Sequence, residues 1–95
     1  MINKRMSKEE FDEFMFKENR QNVVIGFNRV RKLLKNSKIK IVFISNNAPD
    51  FVRKDIEYYS KLSGIEVVEL DLNNIQLGNY FKKIYGINVI GILTG

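Results

Sequence analysis

The chain has 95 residues, 44% of them hydrophobic, a size that folds as one domain over residues 1–95 with a packed core. It contains no Cys and no His, which excludes disulfides and thiolate metal ligation and removes the side chain most used for proton transfer near neutral pH. Its net charge of +5 falls short of tails that hold nucleic acid by charge alone, so a polyanionic partner must also be matched in shape.

Met1 to Arg5 is expected to lead directly into a charged helix and not into a signal segment, and no apolar run approaches the ~20 residues of a membrane span. The expectation is a cytoplasmic protein with no membrane contact. Ser7-Lys8-Glu9-Glu10 has the form of a capping box, and Phe11, Phe14 and Met15 follow on one face, predicting a helix from Ser7 to about Asn19. Asn22 to Ile25 reads as a short strand stopped by Gly26. A second helix then carries Val30, Leu33 and Leu34 inward and basic residues outward.

Ile39 to Ile44 is β-branched and apolar, a buried strand, and Ser45-Asn46-Asn47-Ala48-Pro49 is a turn leading into the longest helix. That helix places Val52, Ile56, Tyr59 and Leu62 inward and stops at Ser63-Gly64, where glycine supplies the left-handed end. Ile65 to Leu70 is a third strand. Asn73-Asn74 opens a fourth helix with Ile75, Leu77, Phe81 and Ile84 inward, and Val89 to Leu93 is the last strand. This alternation predicts an α/β fold, a three-layer α/β/α sandwich with a central four-stranded sheet.

Arg20, Arg29, Arg31, Lys32, Lys35, Lys38 and Lys40 lie in a stretch reaching Pro49 without one Asp or Glu. One sign of charge gathered on one segment makes a directional field suited to a nucleic-acid backbone, although a solvated helix face would read the same way. The strand-to-helix junctions Gly26-Phe27-Asn28, Asn46-Asn47-Ala48 and Asn73-Asn74-Ile75 each hold Asn at or beside a helix start. If their strands are parallel, the three junctions converge on one edge. Helix N-termini there would face phosphate, and Asn amides can donate to and accept from base edges. Taken singly, each Asn could equally be an N-cap or turn residue.

Arg29, Arg31, Lys32 and Lys35 have no acidic partner at i,i+4, which favours phosphate contact over a role in solubility. Tyr85-Gly86-Ile87, between the last helix and strand, could pack in the core or against an unstacked nucleotide. Two other functional classes fit the sequence less well. An enzyme would have to use a carboxylate such as Asp50 or Asp71, without an activated nucleophile, metal cluster or cofactor loop. A docking module would use the Phe11, Phe14 and Met15 face, for which core packing is the commoner role.

Asn47-Ala48-Pro49 followed by Asp55-Ile56-Glu57-Tyr58-Tyr59-Ser60-Lys61-Leu62-Ser63-Gly64-Ile65, with Asn74-Ile75-Gln76-Leu77-Gly78 downstream, resembles the archaeal and eukaryotic large-subunit ribosomal family called thirty-e. The likeness runs from about Val23 to Leu93. It implies membership of the kink-turn RNA-binding superfamily, a mixed-sheet sandwich that grips a sharply bent internal loop, with ribosomal RNA and other ribosomal proteins as partners. No cofactor is expected, and the free protein is expected to be a monomer. The implied contacts are Gly26, Phe27, Asn28, Lys32, Asn47, Asn74 and the loop of Tyr85, Gly86 and Ile87. Asn28 stands where the ribosomal family has Lys or Arg and the related seven-Ae proteins have Asn, which implies an alternative: a shared protein of an RNA-modifying or tRNA-processing particle. Arg29 replaces the Glu of those relatives, and Lys82 replaces a common glycine.

Overall fold

The computed structural model describes residues 4–94. Met1–Asn3, part of the segment expected to enter the first helix, lie outside the described residues, as does Gly95. In chain order the elements are β1 (Lys4–Met6), α1 (Lys8–Lys17), a 3₁₀ turn (Arg20–Asn22), β2 (Val23–Ile25), α2 (Phe27–Lys35), β3 (Ile39–Ile44), α3 (Asp50–Ser63), β4 (Glu66–Leu70), α4 (Asn74–Tyr80) and β5 (Val89–Leu93). Among the described residues no helix is long and apolar enough to cross a membrane.

The sheet has five strands in the order β1-β4-β3-β5-β2, one more than the sequence predicts. The addition is β1, paired parallel with β4 through Lys4↔Val68, Arg5↔Glu69 and Met6↔Leu70. Three residues, two of them cationic, carry no alternating pattern to read. What holds them is tertiary: Lys4 reaches Glu66 at 3.0 Å, Arg5 reaches Glu69 at 3.4 Å, and Met6 packs on the core.

Two apolar clusters separated by the sheet make the three layers. Phe11 and Met15 of α1 and Leu77 of α4 cover one face, packing on Phe43, Val68, Leu70, Ile90 and Ile92. Phe11 and Phe14 each meet the Phe43 ring at 5.1 Å, so the α1 stripe weighed for docking is core. Val30 and Leu34 of α2 and Val52 and Ile56 of α3 cover the other face, on Ile39, Val42, Ile44 and Val89. Ile39 and Ile41 face opposite layers despite their even spacing, because the register against β5 shifts between them and Lys40 forms a bulge. Lys40 turns outward to Glu18 at 2.8 Å.

Three expected core positions are exposed. Leu62 lies across α3 from the buried Val52, Ile56 and Ser60. Ile75, in the first turn of α4, points away from Leu77. Ile84 follows the end of α4 at Tyr80, after Lys82 takes a left-handed φ of 58° and turns the chain, so it rides on a loop in full contact with solvent.

Candidate nucleic-acid interface

β3 runs parallel to β4 and antiparallel to β5, and β2 is also antiparallel to β5, so β2, β3 and β4 point the same way. Their carboxyl ends therefore share one edge with the start of β5, and the three asparagine junctions meet there. Backbone bonds stitch this rim together. The Gly26 N–H donates to Val89 O at 3.0 Å, Ser45 N–H to Asn88 O at 2.9 Å, Asn46 N–H to Leu72 O at 2.9 Å, and Ile87 N–H to Asn74 O at 2.9 Å.

Each junction has its own local cause. Gly26 has φ 109° and ψ 143°, a conformation a Cβ disfavours, and α2 starts there with no side-chain cap. Its first-turn N–H groups are left for an external acceptor. Asn28 is the second residue of that helix and is exposed. α3 likewise begins after Pro49 with no side-chain cap. At α4 the ordinary capping role falls to Asn73, whose Oδ1 accepts from Gln76 N at 2.8 Å while Gln76 Oε1 accepts from Asn73 N at 2.9 Å.

That capping box releases Asn74 for another task. Its backbone N–H donates to Asn47 Oδ1 at 2.8 Å, and Asn47 Nδ2 donates to Asn74 Oδ1 at 2.9 Å. The backbone donor fixes which end of each amide is oxygen, which leaves both Asn74 Nδ2 hydrogens unused by Asn47. Gly86 backs directly on this amide: a Cβ there would stand 2.6 Å from Asn74 Nδ2. Gly78 has a related cause, since a Cβ on it would collide with the Tyr85 carbonyl oxygen. The 85–87 loop is thus pressed onto α4 by two glycines. Tyr85 is 56% exposed beside Ile84, whereas Ile87 is 2% exposed and supports the loop from the core.

Residues 12–94 match the model of the ribosomal protein L7Ae/L30e/S12e/Gadd45 family. The chain belongs to this family. It is 35% identical to the large ribosomal subunit protein eL30 of Pyrobaculum islandicum, over 75% of this chain and 70% of that one. To the eL30 of Oryza sativa subsp. japonica it is 36% identical, over 73% of this chain and 62% of the relative. Both relatives are named as proteins of the large ribosomal subunit. The fold is shared with a Giardia lamblia 15.5kD RNA binding protein, at a TM-score of 0.70 and 20% identity over 79% of this chain and 62% of that one. The family match begins at residue 12, so β1 lies outside it.

Within this family frame the basic residues of α2 divide into two sets. Arg29 and Lys32 are exposed and neither pairs with an acid among the described residues. Arg31 does find an acid, on a different helix from its own: Asp55 of α3, at 3.2 Å. Lys35 lies over the Tyr59 ring, 4.9 Å from its centroid. The sequence reading missed Arg53, which shapes the second junction from below. Its guanidinium donates to the carbonyls of Ala48 at 3.2 Å, Ser45 at 3.4 Å and Asn46 at 3.0 Å, and pairs with Glu69 at 2.7 Å. Asn46 and Asn47 are exposed on a turn held by that fork. Nothing in the local sequence marks Arg53, because its carboxylate partner comes from β4. Asp50 and Asp71 lie exposed at two different junctions, and among the described residues no group of three or more His, Cys, Asp or Glu could hold a metal ion.

Proposed function

We infer that this protein is a structural component of the large ribosomal subunit that binds a kink-turn type internal loop of ribosomal RNA and stabilises its bent form. It works without a cofactor, in the cytoplasm, as a monomer until it meets RNA and neighbouring ribosomal proteins. The names of its relatives support the ribosomal part. The observation that carries the RNA part is the Asn47–Asn74 pair at the meeting of three junctions, with the Asn74 amide hydrogens left over.

In this reading Asn74 Nδ2 donates to base edges opened by the bend, and Asn28, Asn46 and Asn47 read the bases beside it. An A-form duplex hides its edges in a deep groove, so only a bulged or kinked site offers them. Gly26 and Phe27 bring backbone close to the RNA, and the uncapped N–H groups of α2 receive a phosphate. Arg29 and Lys32 anchor the strand, with Arg31 and Lys35 at its margin. Tyr85 packs on an unstacked nucleotide, while Gly86 and Ile87 fix the height of its loop.

Binding of the full chain to a kink-turn hairpin and to a straight duplex of equal length tests this. The bent RNA should bind more tightly, with log K falling by about 0.7–0.9 per log unit of salt for each phosphate neutralised. Equal affinity of the parent and an Asn47→Ala, Asn74→Ala double variant for the bent RNA would refute the base-contact assignment.

Asn28, in place of a Lys or Arg, favours a second reading, a shared kink-turn protein of an RNA-modifying or tRNA-processing particle. Sedimentation of the cellular protein separates the two, with large subunits in the first case and a smaller particle in the second.

A further inference from the structure

A row of side chains along the crease between α2 and α3 starts at the same rim. Phe51, in the first turn of α3, is 64% exposed, and its ring meets the half-buried Phe27 at 5.9 Å with the planes at 83°. The Arg31 guanidinium lies over the Phe27 ring at 5.2 Å, with its charge matched by Asp55. One to two turns further along, Lys35 lies over Tyr59, whose ring meets the exposed Tyr58 at 5.1 Å. On the solvent side of α2, Asn28, Lys32 and Lys35 recur at i, i+4 and i+7, one stripe parallel to these rings. From Phe27 to Lys35 the helix rises about 12 Å.

Core packing does not account for this row, because Phe51 and Tyr58 present most of their surface to water and Lys35 carries its charge across a ring. Rings alternating with cations along a shallow track are what single-stranded nucleic acid requires: faces for bases to stack on and charges for the backbone between them. Protein interfaces share the aromatics and Arg but are depleted in Lys, so the stripe of Lys32 and Lys35 beside the rings favours a nucleic-acid strand. Asp55, the acid facing α2 in the crease, is already paired with Arg31.

We propose that the α2–α3 crease is a second RNA-contact surface, taking a single strand that leaves the bend, with a base stacked on Phe51 and backbone phosphate at Lys35. It rests on the RNA-binding reading above and extends the contact beyond the asparagine rim.

Fluorescence anisotropy on the full chain, at one fixed salt concentration, can compare a blunt kink-turn hairpin with the same hairpin carrying a short oligouridine tail on either its 5′ or its 3′ end. One tailed RNA should bind the parent at least about fivefold more tightly than the blunt one, the gain expected for a single stacked base. Phe51→Ala, at a residue outside the contacts of the bend, should abolish that gain while leaving the affinity for blunt RNA unchanged, and Lys35→Gln should reduce the gain while also lowering blunt-RNA affinity slightly; both residues are surface-exposed, so the fold is retained. If the blunt RNA binds and neither tail helps, the crease serves another ligand, such as a protein, and the proposal falls alone. It falls also if the gain survives in Phe51→Ala. Failure of the parent to bind even blunt RNA would instead overturn the function proposed above, and this extension with it.

Discussion

Replacing Asn47 by alanine removes both hydrogen bonds that tie the β3–α3 turn to the start of α4, whereas replacing Asn74 removes only one. In Asn74→Ala the backbone N–H at 74 remains and still donates to Asn47 Oδ1; only the amide-to-amide bond of 2.9 Å is lost. Each bond is solvent-exposed, so water recovers part of it and the net loss is about 0.5–1 kcal/mol per bond. Asn47→Ala should therefore cost about 1–2 kcal/mol and Asn74→Ala about 0.5–1 kcal/mol. The double variant should cost little more than Asn47→Ala alone, because the first change already abolishes the shared bond. RNA affinity should rank the other way, since Asn74 presents the two unused donors. Urea unfolding followed by circular dichroism gives the first ranking and anisotropy with a kink-turn hairpin gives the second. If Asn74→Ala proved the more destabilising, or if the double variant lost the simple sum, the hydrogen-bond assignment at the rim would be wrong.

Gly78→Ala drives a methyl group into the Tyr85 backbone carbonyl and should destabilise by about 1–3 kcal/mol, read as a lower Tm. Gly86→Ala presses on the Asn74 side chain from its Nδ2 at 2.6 Å to its Cβ at 3.4 Å, so RNA affinity should fall as that amide is displaced, with a stability loss of about 0.5–1 kcal/mol from the broken bond to Asn47. Lys82 and Ser37 hold left-handed φ of 58° and 55° at helix ends, and Lys82→Gly and Ser37→Gly should each raise stability by about 0.5–1 kcal/mol in denaturant titrations. Burial, together with a hydrogen bond to Asp12, raises the Tyr80 hydroxyl from 10.0 to about 12. Its contribution to stability is complete below pH 10 and is lost as pH rises toward 12, because the unfolded chain ionises first. Tyr80→Phe should flatten the fall in Tm across that window.

Local signals in the sequence settled much of the fold. Ser7 and Glu10 form the capping box that their spacing announces, and Gly64 ends α3 at φ 67°. The apolar runs 39–44 and 89–93 are strands, and α1, α2 and α3 lie close to where period and caps put them. These features were legible because each depends on residues within about one helical turn of one another. The junction asparagines were visible for the same reason, as residues beside helix starts.

What the chain order could not supply was anything decided by a distant partner. Strand direction, which gathers the three junctions on one rim, comes from pairing with β5, the last element. β1 exists only because β4 offers it an open edge, and the Lys40 bulge only because β3 and β5 must stay in register past it. Arg31 finds Asp55, and Arg53 finds Glu69, across elements, so the cationic segment is less free than its composition implies. Ile75 and Ile84 follow helical spacing on paper, but α4 stops at Tyr80 and the loop returns over Gly78. Propensity and capping are short-range energies written in neighbouring residues, while register, strand direction and ion pairing are contacts between segments far apart in sequence, fixed only when the layers close.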